Sequence, residues 1–234
     1  MKNKTLWKQV GAAAIAAAMV MSTVPATPVQ AAGGKTLAVS SQKQLNQALK
    51  TVKGKNAVIT VKAGKNVKIT IPKGTYKVTI RVVGKKAAVV NNGTVKEIVV
   101  NSKGTVAIKN NGTIKKVTVQ NAKSVSFSGN CKKAVPVVVN AEDVSMILAA
   151  PAKITAKKDV NIVLKKGAEK SSITCTKNVQ AQVDNQTKKA ISVKIADGTT
   201  LKVESGESCT ITPKGKKEDT SGEDKTDGKN QKTD

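Results

Sequence analysis

The chain has 234 residues, 41 Lys+Arg against 15 Asp+Glu, a net charge of +26 and no histidine. The missing histidine excludes Ser-His-Asp and Cys-His catalysis and removes the commonest general base and metal ligand. Aromatic residues are limited to Trp7, Tyr76 and Phe127, too few for a platform that stacks bases.

Residues 1–31 read as a signal peptide. Lys2, Lys4 and Lys8 form a basic start, Val10 to Met21 an apolar stretch, and Val29-Gln30-Ala31 a small-residue cleavage site. The apolar stretch is well short of the ~20 residues that span a bilayer. The expectation is export, with the mature chain secreted or held at the cell surface. The remainder is long enough for one domain with a real core.

Residues 32–56 read as a lead-in strand (Thr36 to Val39) and a helix. Leu45, Ala48, Leu49 and Val52 fall on one helical face. Ser40 and Ser41 supply an N-cap signal and Gly54 a stop. An amphipathic helix placed before a repeat array is expected to cover the open apolar end of its first coil.

From residue 57 to 213, short alternating runs return every 19 or 20 residues. One expected column is Ile59, Val78, Ile98, Val117; its neighbour is Val61, Ile80, Val100, Val119, Val138. A second pair runs Val67, Ala87, Val106, Val125, Val144, Val160, Val179 and Ile69, Val89, Ile108, Phe127, Met146, Ile162, Ala181, Leu201. A coil this thin cannot bury its apolar side alone, so the period predicts a solenoid. The expected fold is all-β, a single-stranded parallel β-helix of about eight short coils with an N-terminal capping α-helix. Asn92, Asn111 and Asn130 recur at the same interval and predict a structural asparagine ladder. Residues 214–234 contain no apolar side chain and read as a disordered charged tail.

The helix after an extended lead-in, the Ile-Thr-Val and Ile-Thr-Ile strands, and the phrase Ile71-Pro72-Lys73-Gly74-Thr75-Tyr76 resemble the start of exported right-handed parallel β-helix proteins of the pectin-lyase-like superfamily. The asparagine column is similar to the ladders of that fold. The Lys- and Val-rich array also resembles secreted β-helix proteins of Gram-positive anaerobes without an assigned role. The coils are shorter than is usual in the superfamily, which keeps a left-handed helix with three six-residue faces open.

That resemblance implies clustered acids holding calcium and a basic catalytic residue. The sequence lacks them. Nine acids lie in 32–213, and only Glu142 and Asp143 are adjacent, where strand geometry turns neighbours to opposite faces. No catalytic residue, metal ligand or cofactor is assigned, and the chain is read as non-catalytic, the alternatives being a lyase or hydrolase of the same fold and a structural spacer. Cys131, Cys175 and Cys209 fit either one pair with a free thiol or small core residues, Cys175 and Cys209 lying in inward slots.

The remaining signal is cationic: 32 basic against 9 acidic residues in 32–213, with Arg81 the one arginine. Lysine is a hydrated point charge, so the field attracts polyanions diffusely. Lys96 and Lys115 are expected in one column, with Lys153 two coils further on beyond Ala134, and Lys116, Lys132, Lys133, Lys157 and Lys158 in nearby turns. These eight residues are the candidate polyanion-binding rim, for an anionic polysaccharide or cell-wall polymer. The competing reading is that edge lysines only keep a β-stack soluble. Specific nucleic-acid recognition is not expected, because arginine forks and stacking aromatics are missing.

Overall fold

The computed structural model describes residues 35–63, 66–212 and 217–219. Residues 1–31, read above as a signal peptide, lie outside them. So does the tail, except that Lys217–Asp219 form a short strand where disorder was expected.

The chain begins with β1 (Lys35–Val39) and α1 (Gln42–Thr51). Two-stranded coils follow: β2 (Ala57–Ala63) with β3 (Val67–Ile71), then β4 (Thr75–Gly84) with β5 (Lys86–Asn91), then β6 (Thr94–Asn101) with β7 (Thr105–Asn110). The fourth coil splits its first strand into β8 (Thr113–Ile114) and β9 (Val117–Asn121) before β10 (Ser124–Ser128). Next come β11 (Val135–Val139) with β12 (Val144–Ala149), β13 (Ala152–Ala156) with β14 (Val160–Leu164), and β15 (Ser172–Cys175) with β16 (Ala181–Asn185). The chain finishes through β17 (Ile191–Lys194), β18 (Thr200–Val203), β19 (Ser208–Ile211) and β20 (Lys217–Asp219).

First strands of successive coils hydrogen-bond into one sheet, β1-β2-β4-β6-β9-β11-β13-β15-β17-β18, and second strands into another, β20-β19-β16-β14-β12-β10-β7-β5-β3. Pairing is parallel from β1 to β17 and from β3 to β16. The result is a β-solenoid of about eight turns, with two sheets among the described residues and not three faces. Inward residues of the first sheet stack as Ile59, Ile80, Ile98, Val117, Val137, Ile154, Ile173, Val193. Those of the second stack as Ile69, Val89, Ile108, Phe127, Leu148, Leu164. All are essentially inaccessible, and each contributes roughly 1.5–3 kcal/mol of burial.

The observed register departs from the fixed period in five places. Ile59 pairs with Ile80 and not Val78, and the longer step is recovered in the next coil, where a register shift between Tyr76 and Thr79 of β4 sets Ile80 opposite Ile98 of β6. Phe127 pairs with Leu148 and Val125 with Met146, two residues beyond the expected partners. Val160 likewise pairs with Ala181 and Ile162 with Val183, again two residues beyond the expected partners. A slip of two keeps every side chain on its face, so the core survives all three. At β11 the faces are exchanged: Val137 points in and Val138 out. The run Val135-Pro136-Val137-Val138-Val139 is apolar on both faces, so its alternation carries no information. Leu201 belongs to the first sheet, opposite Val193, and does not stack on Ala181.

The last departure has a topological cause. After β17 the chain turns at Ile195–Thr199, where Gly198 adopts φ +92°, and runs back antiparallel to β17 as β18. β19 then lies antiparallel on β16. The final coil is therefore traced backwards over the end of the stack. Asn185 anchors it, with Nδ2 within reach of the carbonyls of Lys189 (2.9 Å), Val203 (2.8 Å) and Glu204 (3.0 Å). At the C-terminal end of the stack the reversed strands β18 and β19 form the last two-sheet coil.

At the other end α1 buries Leu45, Ala48 and Leu49. Ser41 accepts the Gln44 N–H at 3.3 Å and Gln44 Oε1 accepts the Ser40 N–H at 2.7 Å, a variant of the reciprocal N-terminal box.

Candidate polyanion-binding edge

A two-sheet coil has two narrow edges. At the first corner the chain passes from a first-sheet strand to a second-sheet strand; at the second corner it returns to the next coil. Turn residues cannot point into the core and their backbone needs water or short hydrogen bonds, so lysine collects there.

The second corner carries an exposed lysine at every junction from coil one to coil eight: Lys73, Lys96, Lys115, Lys132, Lys153, Lys165 and Lys188. Adjacent strands lie about 4.8 Å apart, so these charges form a line along the stack. Lys116, Lys133, Lys166 and Lys189 thicken it. Two acids on this edge are already engaged. Glu97 lies 3.5 Å from Lys116 Nζ and accepts the Thr118 hydroxyl at 2.6 Å. Glu169 accepts the Gly167 N–H at 3.0 and 3.1 Å, and backbone N–H donors at Gly167 and at Glu169 itself hold its carboxyl below the usual range. The turn 204–207 of the reversed coil ends the line with Glu204 and Glu207.

The first corner is mixed. Lys62, Lys85, Lys103 and Lys123 serve the first four coils, but Glu142, Asp143 and Asp159 enter in coils five and six. Lys158 Nζ meets Glu142 Oε1 at 2.8 Å. That hydrogen bond lowers the pKa of Glu142 and raises that of Lys158. Asp159 accepts the Gln180 N–H at 2.8 Å.

Of the eight candidate lysines, Lys96, Lys115, Lys116, Lys132, Lys133 and Lys153 lie on the second-corner edge. Lys157 and Lys158 lie on the opposite one, and the two groups cannot form one rim. Lys96 and Lys115 are adjacent in register, since Val95 pairs with Ile114. Lys153 does not continue that column. It pairs with Pro136, which stands beside Lys116. Sequence reasoning passed over Lys73, Lys188 and Lys189 because it sought lysines at a constant interval. Turns of different length carry them, and a search for lysines after each second-sheet strand finds them.

The asparagines form two rows at the second corner. In the exposed row Asn111 Nδ2 donates to Asn92 Oδ1 at 3.0 Å; Asn130 stands exposed in the longer turn that follows. One residue earlier is a buried row. Asn91 Nδ2 donates to Asn110 Oδ1 at 2.8 Å, and Asn110 Nδ2 to Cys131 Sγ at 3.3 Å. The three cysteines form no disulfide. Cys175 and Cys209 are buried and Cys131 is half-buried. Among the described residues no three Cys, Asp or Glu side chains gather where they could hold a metal ion.

No family model, curated protein or solved structure matches this chain.

Proposed function

We propose that this chain is an exported, non-catalytic β-solenoid that attaches to a linear polyanion, such as an anionic polysaccharide or cell-wall polymer, along its second-corner edge. It is read as a secreted or surface-held protein, akin to exported right-handed β-helix proteins in its lead-in and coil phrases. The observation that carries the reading is an exposed lysine at every second-corner junction, with the two internal acids of that edge held by neighbours. Solubility alone calls for charge on both edges; it gives no reason for one edge to carry a lysine at every junction while the other breaks its series with Glu142 and Asp143 between β11 and β12. Lysines set by a rigid stack lose little backbone entropy on binding, while their long side chains adapt to irregular anion spacing.

The test is retention on an immobilised sulfated or phosphorylated polymer over a salt gradient. Counterion release makes such binding fall steeply with salt. Lys96→Gln, Lys115→Gln and Lys153→Gln combined should shift elution to clearly lower salt. Lys62→Gln, Lys85→Gln and Lys103→Gln combined remove the same charge from the first corner and should shift it much less. Equal shifts would reduce the interaction to net charge and overturn the assignment.

A further inference from the structure

The second-corner edge contains one recess that the lysine line does not explain. It lies between coils four and five, has a volume of about 610 Å³, and is lined by Asn111, Gly112, Ile114, Asn130, Lys132 and Lys133, with Cys131 in its wall. No acidic residue lines it.

The recess exists because the first sheet is interrupted there. Thr113 donates its N–H back to Gly93 O at 2.8 Å, and Lys115 donates back to Val95 O at 3.2 Å. Alternate residues of a parallel strand present their N–H and C=O to opposite neighbours. Ile114 must therefore direct its pair toward coil five. Coil five offers no strand at that level. Among the described residues β8 pairs with β6 alone, and pairing with the next coil resumes only at Val117 with Val137. The chain from Gly129 to Ala134 instead makes a wide turn that carries Lys132 and Lys133 on the far wall. One wall thus offers the Ile114 N–H, with its carbonyl beside it, and the Asn111 amide; the other offers two ammonium groups, which outweigh that carbonyl for an anion, and the Asn130 amide.

We propose that this recess binds a phosphodiester unit of a polyol-phosphate chain and fixes in one register a polymer that the lysine edge otherwise attracts along its length. The inference rests on the polyanion reading above and names its ligand class. Donors on two facing walls suit a tetrahedral anion, which presents oxygens in several directions. A planar carboxylate is better met by the fork of an arginine, and no arginine lies here. The Asn111 and Asn130 amides both donate and accept, which suits hydroxyl groups on the flanking carbons.

Cys131 provides a direct readout, since it lines the recess while Cys175 and Cys209 are buried in the core. The probes are a synthetic glycerol-phosphate hexamer and hexaglutamate, which has similar charge but neither phosphate nor hydroxyl groups. At ten times its Kd, the glycerol-phosphate hexamer should slow iodoacetamide alkylation of Cys131 in the full chain about tenfold. Hexaglutamate at equal occupancy should leave the rate unchanged. Lys132→Gln with Lys133→Gln should abolish protection, whereas Lys73→Gln with Lys188→Gln, which removes the same charge from the edge and lowers retention comparably, should preserve it. Persistent retention with no protection, or equal protection by both probes, would overturn the recess as a site and leave the edge standing. Loss of retention as well would overturn both.

Discussion

Gln42 and Thr70 exchange two hydrogen bonds: Thr70 N–H donates to Gln42 Oε1 at 2.6 Å, and Gln42 Nε2 donates to the Thr70 carbonyl at 2.8 Å. A side-chain amide from α1 thus occupies the place of a neighbouring strand along β3, the first strand of the second sheet. Free strand edges template pairing with other chains, and this contact closes one.

Gln42→Ala should therefore have two effects. It leaves a part-buried N–H and C=O without partners, which costs about 1–3 kcal/mol. It also reopens the β3 edge. Urea denaturation should show a lower midpoint with an unchanged slope, and size-exclusion chromatography should show self-association that grows with concentration. A variant as stable and as monomeric as the parent would mean that the helix caps by apolar contact alone.

The two asparagine rows separate in the same manner. Asn110 is buried, accepts from Asn91 and donates to Cys131. Asn111 lies in the exposed row. Asn110→Ala removes one acceptor from the buried Asn91 amide, which keeps its bond to the Gly93 carbonyl at 2.9 Å, and should destabilise by about 1–3 kcal/mol. Asn111→Ala should change stability by no more than about 0.5 kcal/mol. Equal losses in urea midpoints would refute the distinction.

The sequence made this solenoid legible because its core is built from one kind of residue at one spacing. The helix face Leu45, Ala48, Leu49 and the cap at Ser41 were readable for the same reason: amphipathic periodicity and capping chemistry are local. Register was not local. The ten residues of β4 and the two-sided Val run of β11 each satisfy several alignments, and only stacking on the neighbouring coil selects one. The buried Asn91–Asn110 row was missed because an asparagine one place before a conspicuous Asn-Gly turn looks like part of it. The reversal at Ile195–Thr199 was hidden more deeply, because Leu201 and Cys209 alternate just as a forward coil would. The lysine edge was half legible: its residue type was plain, but the side of the coil depended on turn lengths.

Gly104 tests how tightly the first corner is wound. The Ser102 hydroxyl donates to the Gly84 carbonyl and accepts the Gly104 N–H at 3.1 Å, while Thr105 N–H reaches Lys85 O at 3.0 Å. A Cβ added to Gly104 would overlap the Lys85 carbonyl oxygen, which is backbone and cannot swing aside. Gly104→Ala should destabilise by about 1–3 kcal/mol, in the range of overpacked cores. Gly198→Ala meets no neighbouring atom, and its cost should be confined to strain at positive φ. Thermal melts of the two variants decide the point; a neutral Gly104→Ala would mean that adjacent coils separate at little cost.

The reversed terminal coil gives the core a pH signature. Burial, and secondarily the nearby Cys209, pushes the Cys175 thiol up to about 11 from an ordinary 9.0. A thiol whose folded pKa exceeds its unfolded value holds its proton more tightly in the fold. The stability it contributes is complete below pH 9 and is lost as pH rises toward 11, at up to about 1.4 kcal/mol per unit. Lysines also lose charge over that interval, so the comparison must be made between variants. Cys175→Ala lowers stability by a constant packing term but removes the thiol. Its stability plotted against pH should therefore fall less steeply between 9 and 11 than that of the parent chain, with the two curves converging at the alkaline end. Parallel curves would show that water reaches Cys175 and that the backward coil does not seal the end of the stack.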